Sequence, residues 1–409
     1  MQEGISWLDS LQTRGIRPGL ENIGRLMAAL GNPQDSLRII HVAGSDGKGS
    51  VCCLLESIMM QSELNVGLFN SPHFLKINEC IRINGKDIDD DSLNEILLKV
   101  KGASESSGIE CTNFEALTAA SFLAFSEMDV NIAIVEVGMG GRLDSTNIVR
   151  PEVTVINNVS LEHTAFLGDT IEKIASEKAG IMKHCVPCIT INDGDALRVI
   201  EERASEVECP LISIDPDDIK IVSNSENGLI FEYMGNGYTV GLPGSFQARN
   251  ATVAIEAAHA LKCDHISDET ISEGLKKAHW PYRMEKLKDY PIILDVTHTK
   301  KGAEYLKKDI AEIYGKVTLV TAMLDDKDLD GVAKLLSEIA VRVYVSSPKS
   351  PRAASSERLA GHYRKYHNDI TVYPTVGDAI DAALKNDDMI LVTGSFRTVE
   401  DCLRWLRRM

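Results

Sequence analysis

The sequence predicts an α/β protein of two domains. Residues 1–284 would form a larger domain around a mainly parallel sheet with a small antiparallel edge, and residues 285–409 a smaller Rossmann-like α/β domain. Three observations lead there. Short aliphatic runs alternate with helical patterns almost from end to end, the mark of strand–helix–strand units on a parallel sheet. With 409 residues, 44% of them hydrophobic, the chain is too long for one ordinary core. Between Pro281 and Pro291 a charge-rich stretch flanked by prolines interrupts the patterns, and a second strand–helix series follows it.

In chain order, the first strands are "RIIHVAG", "NVGLFN", "NIAIVEVG", "EVTVINNV" and "VPCITIN", each a short aliphatic run bounded by polar or glycine punctuation. Helices are expected over Lys48–Glu63, Asn113–Glu127, Thr170–Ile181 and Ala196–Ala204, where apolar residues recur at three- and four-residue intervals without an internal proline. From Pro210 to Leu242 the texture alternates, and "GLIFEYMGNGYTVGL" places an Asn-Gly turn between two such runs, which predicts an antiparallel hairpin at the sheet edge. "QARNATVAIEAAHALK" returns to helix. The second series has strands "PIILDV", "KVTLVTAM", "VRVYVSS", "ITVYP" and "MILVTGS", and ends in the helical "TVEDCLRWLRRM".

A formal charge of −17 opposes nucleic acid and anionic membranes as partners, because no long basic run offsets the repulsion of phosphates. No segment approaches the roughly eighteen consecutive apolar residues of a membrane span, and the first ten residues lack a signal pattern. A cytoplasmic protein with small-molecule substrates, acting as a monomer, is the expectation. Nine cysteines, several beside aliphatic residues as in "VCCLL", read as reduced, packed thiols. Cys185 and Cys188 in "HCVPC" have the spacing of a redox motif or half a zinc site, but no second pair completes one, and the run leads into an ordinary buried strand.

The chemistry concentrates in "HVAGSDGKGS". A strand, then Gly44, Gly47, Lys48, Gly49 and Ser50, then a helix, aims backbone N–H groups and a helix N-terminus at one point, where an anion is favoured. The spacing is a compact variant of the phosphate loop, GxxGKGS, with Val42 where the usual first glycine belongs, and it makes the larger domain P-loop ATPase-like. Lys48 would reach the outer phosphates of ATP and Ser50 the magnesium. Glu136, near the end of the buried strand "NIAIVEVG", is placed as a metal-binding carboxylate, since a charge in so apolar a run is costly without a cation.

These residues, with "NSPHF", "TNFEALTAASFLAF", "EVGMGGRLDSTN", "LEHTAFLGDTIEKIASEKAGIMK" and "LPGSFQARNATVAIEA", resemble in order and spacing the folylpolyglutamate synthase/dihydrofolate synthase branch of the Mur ligase family. The resemblance is strong over residues 15–285 and weaker beyond, in "DDKD", "SPRAAS" and "TGSF". It implies a Mur ligase central domain followed by a C-terminal one, and an ATP-dependent acid–amino-acid ligase that forms an acyl phosphate and then an amide. It further implies Ser71, Glu136 and His163 on a second magnesium, with Ser50 and Glu136 on the first. Lys178 matches a carbamylated lysine, although by itself it reads as a helix-surface residue. Gln247 and Asn250 match positions meeting the adenine, Arg283 one reaching the phosphates, and Asp295 one on the ribose. His298 and Ser395 match positions near the incoming amino acid, and Asp144 one on the pterin side.

Three departures stand out. Asp46 replaces an asparagine, and at an assumed ~5 Å with an effective dielectric of about 20 a bare carboxylate facing phosphate would cost ~3 kcal/mol. It would therefore cap nearby backbone N–H groups, touch magnesium through water, or meet a cationic substrate group. Tyr282 replaces a glycine in "WPYRME", and Thr299-Lys300 replaces the Asn-Pro of "AHNP". Glutamate and a folate-like pterin are the expected substrates, and another acceptor carboxylate or amino acid is the alternative.

Overall fold

The computed structural model describes residues 2–408. It divides into two compact units. One runs to Ile219 and takes in Arg249–Ala278, and the other holds Lys220–Ala248 and the chain from His279 onward.

The first unit is built on eight strands: β1 (Arg38–Ala43), β2 (Val66–Phe69), β3 (Ile81–Ile83), β4 (Lys86–Asp87), β5 (Ile132–Glu136), β6 (Val153–Ile156), β7 (Cys188–Thr190) and β8 (Leu211–Ser213). Their order is β4-β3-β2-β5-β1-β6-β7-β8. All neighbours are parallel except β2–β3 and β3–β4. β1, β2, β5, β6 and β7 are almost wholly buried, which is why they read as unbroken aliphatic runs. The expected helices appear as Lys48–Gln61, Asn113–Glu127, Ile171–Ala179 and Gly194–Glu206. Asn113–Glu127 begins in a reciprocal cap: the Thr112 hydroxyl accepts from Glu115 N, and the Glu115 carboxylate from Thr112 N at 2.7 Å.

The antiparallel edge of this sheet comes from β3 and β4, not from the segment where alternation predicts it. Residues 219–240 instead form a separate three-stranded antiparallel sheet of β9 (Ile219–Ser225), β10 (Gly228–Tyr233) and β11 (Asn236–Val240), ordered β11-β10-β9. β10 and β11 bury one face, where Phe231 stacks on Tyr238 at 5.5 Å, whereas β9 is exposed along most of its length and offers no buried face to a larger sheet. The hairpin turn is also displaced from Asn-Gly. Tyr233 pairs with Asn236, so the two turn residues are Met234 and Gly235, with φ of 49° and 80°. Both central residues of such a turn need positive φ, and Gly235 supplies it where steric freedom matters most.

The second unit also contains β12 (Glu285–Lys286), β13 (Ile292–Leu294), β14 (Val317–Thr321), β15 (Ala340–Val345), β16 (Ile370–Val372) and β17 (Ile390–Thr393). Their order is β12-β13-β17-β14-β15-β16, parallel apart from β12. Helices Lys300–Ile313, Leu329–Ser337, Ser356–Tyr363, Val376–Ala383 and Phe396–Leu406 alternate with these strands. The division between units falls inside the Phe246–Ala260 helix, between Ala248 and Arg249.

Behind the phosphate-loop helix, the Asp268–Lys277 helix approaches so closely that a Cβ on Gly274 would lie 2.4 Å from the Ile58 Cα, while the Ser57 hydroxyl donates to Gly274 O at 2.6 Å. Backbone cannot yield as a side-chain tip can. Gly274→Ala is therefore expected to lower stability by about 1–3 kcal/mol, read as a reduced urea midpoint at unchanged slope. An unchanged midpoint would mean the two helices separate freely.

Candidate active site

β1 lies centrally between β5 and β6, and the phosphate loop leaves its carboxyl end. In open α/β sheets this is the end at which ligands are bound. Gly44 and Gly47 have φ of 154° and 79°. A Cβ on Gly47 would sit 2.5 Å from both Asn157 Nδ2 and Asn250 Oδ1, so glycine is required by conformation and by contact. The segment after β6 then holds the loop. Ser45 N donates to Asn158 O at 2.7 Å and Asp46 N to Asn158 Oδ1 at 2.9 Å. Asn157 Nδ2 donates to Asp46 O at 2.9 Å and to Asn250 Oδ1 at 3.0 Å. Asn250, expected at the adenine, thus braces the glycine turn. Lys48 Nζ folds over the loop and donates to Gly44 O at 3.0 Å, while Ser50 is buried in the first helical turn.

Glu136 ends β5 in register with Val42 and is 5% exposed. Its Oε2 accepts from Ser71 N at 3.4 Å, so two of the three residues expected on the second magnesium meet. His163 follows β6 with φ 45°, and its Nε2 lies 3.8 Å from Glu162 Oε2. Among the described residues no group of three or more His, Cys, Asp or Glu surrounds a common point. The hydroxyls of Ser50 and Ser71 with the Glu136 carboxylate are nevertheless hard oxygen donors that suit magnesium, which keeps several waters and takes phosphate oxygens to complete its shell.

Lys178 is not on the helix surface. It is 1% exposed, and its Nζ donates to Glu162 Oε1 at 2.6 Å. Burial pulls the Lys178 amine down to about 8, although Glu162 supports its charge. Burial alone would raise the Glu162 carboxyl, but Lys178 and Lys48 bring it down to about 2. Glu162 is a site residue that sequence reasoning passed over, because an acid beside His163 in a polar loop gives no sign of a buried partner sixteen positions on. Asp144 is 7% exposed and accepts from Met139 N at 2.9 Å, Thr146 N at 3.0 Å and the Thr146 hydroxyl at 2.6 Å. Because that hydroxyl donates to Asp144, it accepts from His41 Nε2 at 2.8 Å, which fixes the tautomer of a buried neutral imidazole on β1. Asp144 thereby ties the "GMGGRLDSTN" loop to the strand that carries the phosphate loop.

In the second unit, Arg283, Asp295, His298 and Ser395 gather around the carboxyl ends of β13 and β17. Asp295 accepts from Thr297 N at 2.8 Å and Met284 N at 3.1 Å; burial raises its carboxyl and Arg283 opposes that. His298 Nδ1 donates to Val296 O at 2.9 Å. The Ser395 hydroxyl accepts from Thr398 N at 3.1 Å and caps the last helix. Phe396, which sequence reasoning also passed over, has the Arg283 guanidinium 5.6 Å above its ring and the His298 ring 5.9 Å away. Gln247 is fully buried. "DDKD" and "SPRAAS" face one another through Arg352–Asp326 at 2.7 Å, and Arg358 on the helix that follows meets Asp325 at 2.8 Å.

Residues 42–258 match the Mur ligase middle domain, and residues 282–396 the Mur ligase glutamate ligase domain. The chain belongs to the Mur ligase family. It is 33% identical to the dihydrofolate synthase/folylpolyglutamate synthase of Bacillus subtilis, with 99% of each chain covered. It superposes on Escherichia coli FolC in complex with DHPP and ADP with a TM-score of 0.88 at 29% identity, covering 99% and 98% of the two chains. A bifunctional folylpolyglutamate synthase/dihydrofolate synthase with Mn, AMPPNP and L-glutamate bound gives 0.86 at 30% identity, covering 99% and 98%. No helix among the described residues is long and apolar enough to cross a membrane.

In this Mur ligase family member, two departures prove locally conservative. Tyr282 keeps a positive φ of 63°, the backbone a glycine would adopt, with its N–H donating to Glu285 Oε2 at 2.8 Å. Thr299 caps the Lys300–Ile313 helix through Gly302 N at 3.0 Å, as an asparagine would, and Lys300 takes the first helical position, where proline is also favoured. Asp46 does not cap: the residue at the helix N-cap is Gly47, without a side-chain bond, and Asp46 Oδ2 receives the Ser160 hydroxyl at 3.4 Å.

Glu162→Gln would leave Lys178 buried without its counter-charge. The amine should then lose its proton at a pH below about 8, followed by the Lys178 ¹³Cε shift, and the urea midpoint should fall. An unmoved titration would show that Glu162 does not support the charge.

Proposed function

We propose that this Mur ligase family member is an ATP-dependent amide ligase that adds L-glutamate to the carboxylate of a folate-like pterin, as a folylpolyglutamate/dihydrofolate synthase does. The observation that carries the reading is the braced phosphate loop with Glu136 and Ser71 at its side, on a chain that matches ligases of this type over 99% of its length.

A carboxylate is a poor electrophile. The acceptor carboxylate attacks the γ-phosphorus, ADP leaves, and the acyl phosphate so formed is attacked by the amino nitrogen of glutamate, which loses a proton as inorganic phosphate departs. Both steps crowd anionic oxygens, so cations held in place supply most of the rate. In this reading Lys48 and the amides of Gly47–Ser50 hold the β- and γ-phosphates. Ser50 and Glu136 would hold one magnesium, and Ser71, Glu136 and His163 a second; bound there, the ions neutralise phosphate and carboxylate charge. Lys178 would carry a carbamate in place of its ion pair with Glu162, a modification that begins from the neutral amine, which burial favours and Glu162 opposes. Arg283 would face the phosphates, Asp295 the ribose, Gln247 and Asn250 the adenine, His298 and Ser395 the amino acid, and Asp144 would order the pterin-side loop. We place the activity in the cytoplasm, a reducing compartment that fits nine free cysteines.

The test is phosphate release by purified protein with ATP, magnesium, dihydropteroate or tetrahydrofolate, and each amino acid in turn. Release with glutamate and either pterin is expected; release only with another pair would move the function to a different Mur-type ligase, and none with any pair would remove it. Arg283→Ala should lower kcat by roughly 10³-fold with little change in melting temperature, the scale of a lost phosphate-facing arginine. Near-normal turnover would take Arg283 out of the reaction.

A further inference from the structure

Asp309 lies on the Lys300–Ile313 helix and is fully buried, yet none of the roles above uses it. An enclosed carboxylate is costly unless its oxygens are met. Here they are. Oδ1 accepts from Asn224 Nδ2 at 3.0 Å and Oδ2 from Ser245 N at 3.0 Å. Asn224, on β9, turns its own Oδ1 to Gly244 N at 3.1 Å. Gly244 O in turn accepts from Gln247 N at 3.0 Å.

The carboxylate and the amide therefore hold two consecutive N–H groups, those of Gly244 and Ser245, and the first of these residues anchors Gln247 directly. Gly244 has φ of 106°, and a Cβ there would meet the Phe246 ring at 2.6 Å, so the turn has little room to settle elsewhere. Four residues before Asp309, Tyr305 meets the Phe246 ring edge-on at 6.2 Å. One helix thus grips both the turn and the first residue of the Phe246–Ala260 helix.

We propose that Asp309 and Asn224 form a positioning pair that sets the Gly244–Gln247 turn, and through it the place of Gln247 against the adenine of the nucleotide. This rests on the reading that Gln247 meets the adenine. Asp309 and Asn224 touch no substrate and act only through the turn. A polar pair with an enclosed carboxylate is a poor source of stability but a good source of unique geometry, because donors and acceptors must match one for one. Burial pushes the Asp309 carboxyl up to about 6, so at pH 7.5 it is ionised and only accepts, which fixes the orientation of the Asn224 amide.

That complementarity makes the pair testable by exchange. In Asp309→Asn one new N–H₂ faces the Asn224 N–H₂, and flipping Asn224 would forfeit its bond to Gly244 N. Adding Asn224→Asp restores every match: the carboxylate now on β9 accepts from Gly244 N and from the amide now on the Lys300–Ile313 helix, and the oxygen of that amide still accepts from Ser245 N. ADP affinity should be measured by calorimetry at pH 7.5 on the full chain, with melting temperatures alongside. Gln247→Ala and Asp309→Asn should each weaken ADP by about tenfold, the upper scale of one neutral hydrogen bond, and the exchanged pair should return to within about twofold of the parent. Asn224→Ala, at a half-buried strand position, should weaken ADP similarly and gives a reading if Asp309→Asn fails to fold. Unchanged affinity in Gln247→Ala would overturn the adenine reading and this inference with it. Weakened affinity in Gln247→Ala beside parent-like affinity in Asp309→Asn or Asn224→Ala, or an exchanged pair no better than Asp309→Asn, would overturn the inference alone.

Discussion

The closure of one glycine turn by two asparagine side chains underlies the site in the first unit. Gly47 lies against the Asn157 amide and the Asn250 carbonyl oxygen, which are themselves hydrogen-bonded at 3.0 Å. That contact joins the end of β1, the segment after β6 and the Phe246–Ala260 helix, and with Asn158 holding the Ser45 and Asp46 N–H groups it fixes the path of the loop into the helix N-terminus. A phosphate loop works because its donors are oriented before the anion arrives. Here the orientation is enforced by polar side chains packed against a residue with no side chain, so the geometry is built into the fold.

A second layer of order comes from buried charge. Lys178 and Glu162 form an enclosed ion pair whose potential reaches Lys48. Such a pair adds little to stability beyond what an apolar pair of the same volume would give, but it fixes two side chains in one arrangement. Asp144, through Thr146 and His41, does the same for the loop after β5. The first unit therefore concentrates these buried polar groups around the ends of β1, β5 and β6, where the chemistry is expected, over a core that is mainly apolar.

Much of this was legible in the chain. Buried parallel strands announce themselves as short aliphatic runs, and Gly44, Gly47, Lys48 and Ser50 define the loop by spacing alone. Glu136 was legible because an acid at the end of such a run needs a cation. Lys178 and Glu162 were not: their burial depends on the path of residues 160–180 over the loop, which no local periodicity encodes. The Asp90–Ser106 helix is likewise unannounced by strand–helix alternation, since it follows the antiparallel β3–β4 pair instead of a parallel strand; its visible signal is Asp89, which caps Asp91 and Ser92 N–H groups. The hairpin turn falls at Met234-Gly235 instead of Asn-Gly because the β10–β11 register buries Phe231, Tyr233 and Tyr238 on one side, and shifting the turn by two residues would break those pairings. Tyr282 and Thr299 look disruptive in the sequence and are not, because the backbone conformation and the cap they replace survive.

Both large sheets taper. The eight-stranded one ends in the two-residue β4 and the three-residue β8, and the six-stranded one in the two-residue β12 and the three-residue β16. A margin that short presents few unsatisfied amides in line, so a stray extended peptide finds almost no template on which to zip. Aliphatic strands as long as β1 and β15 can thus be carried at high concentration without seeding fibres, since they lie where only their own neighbours can reach them.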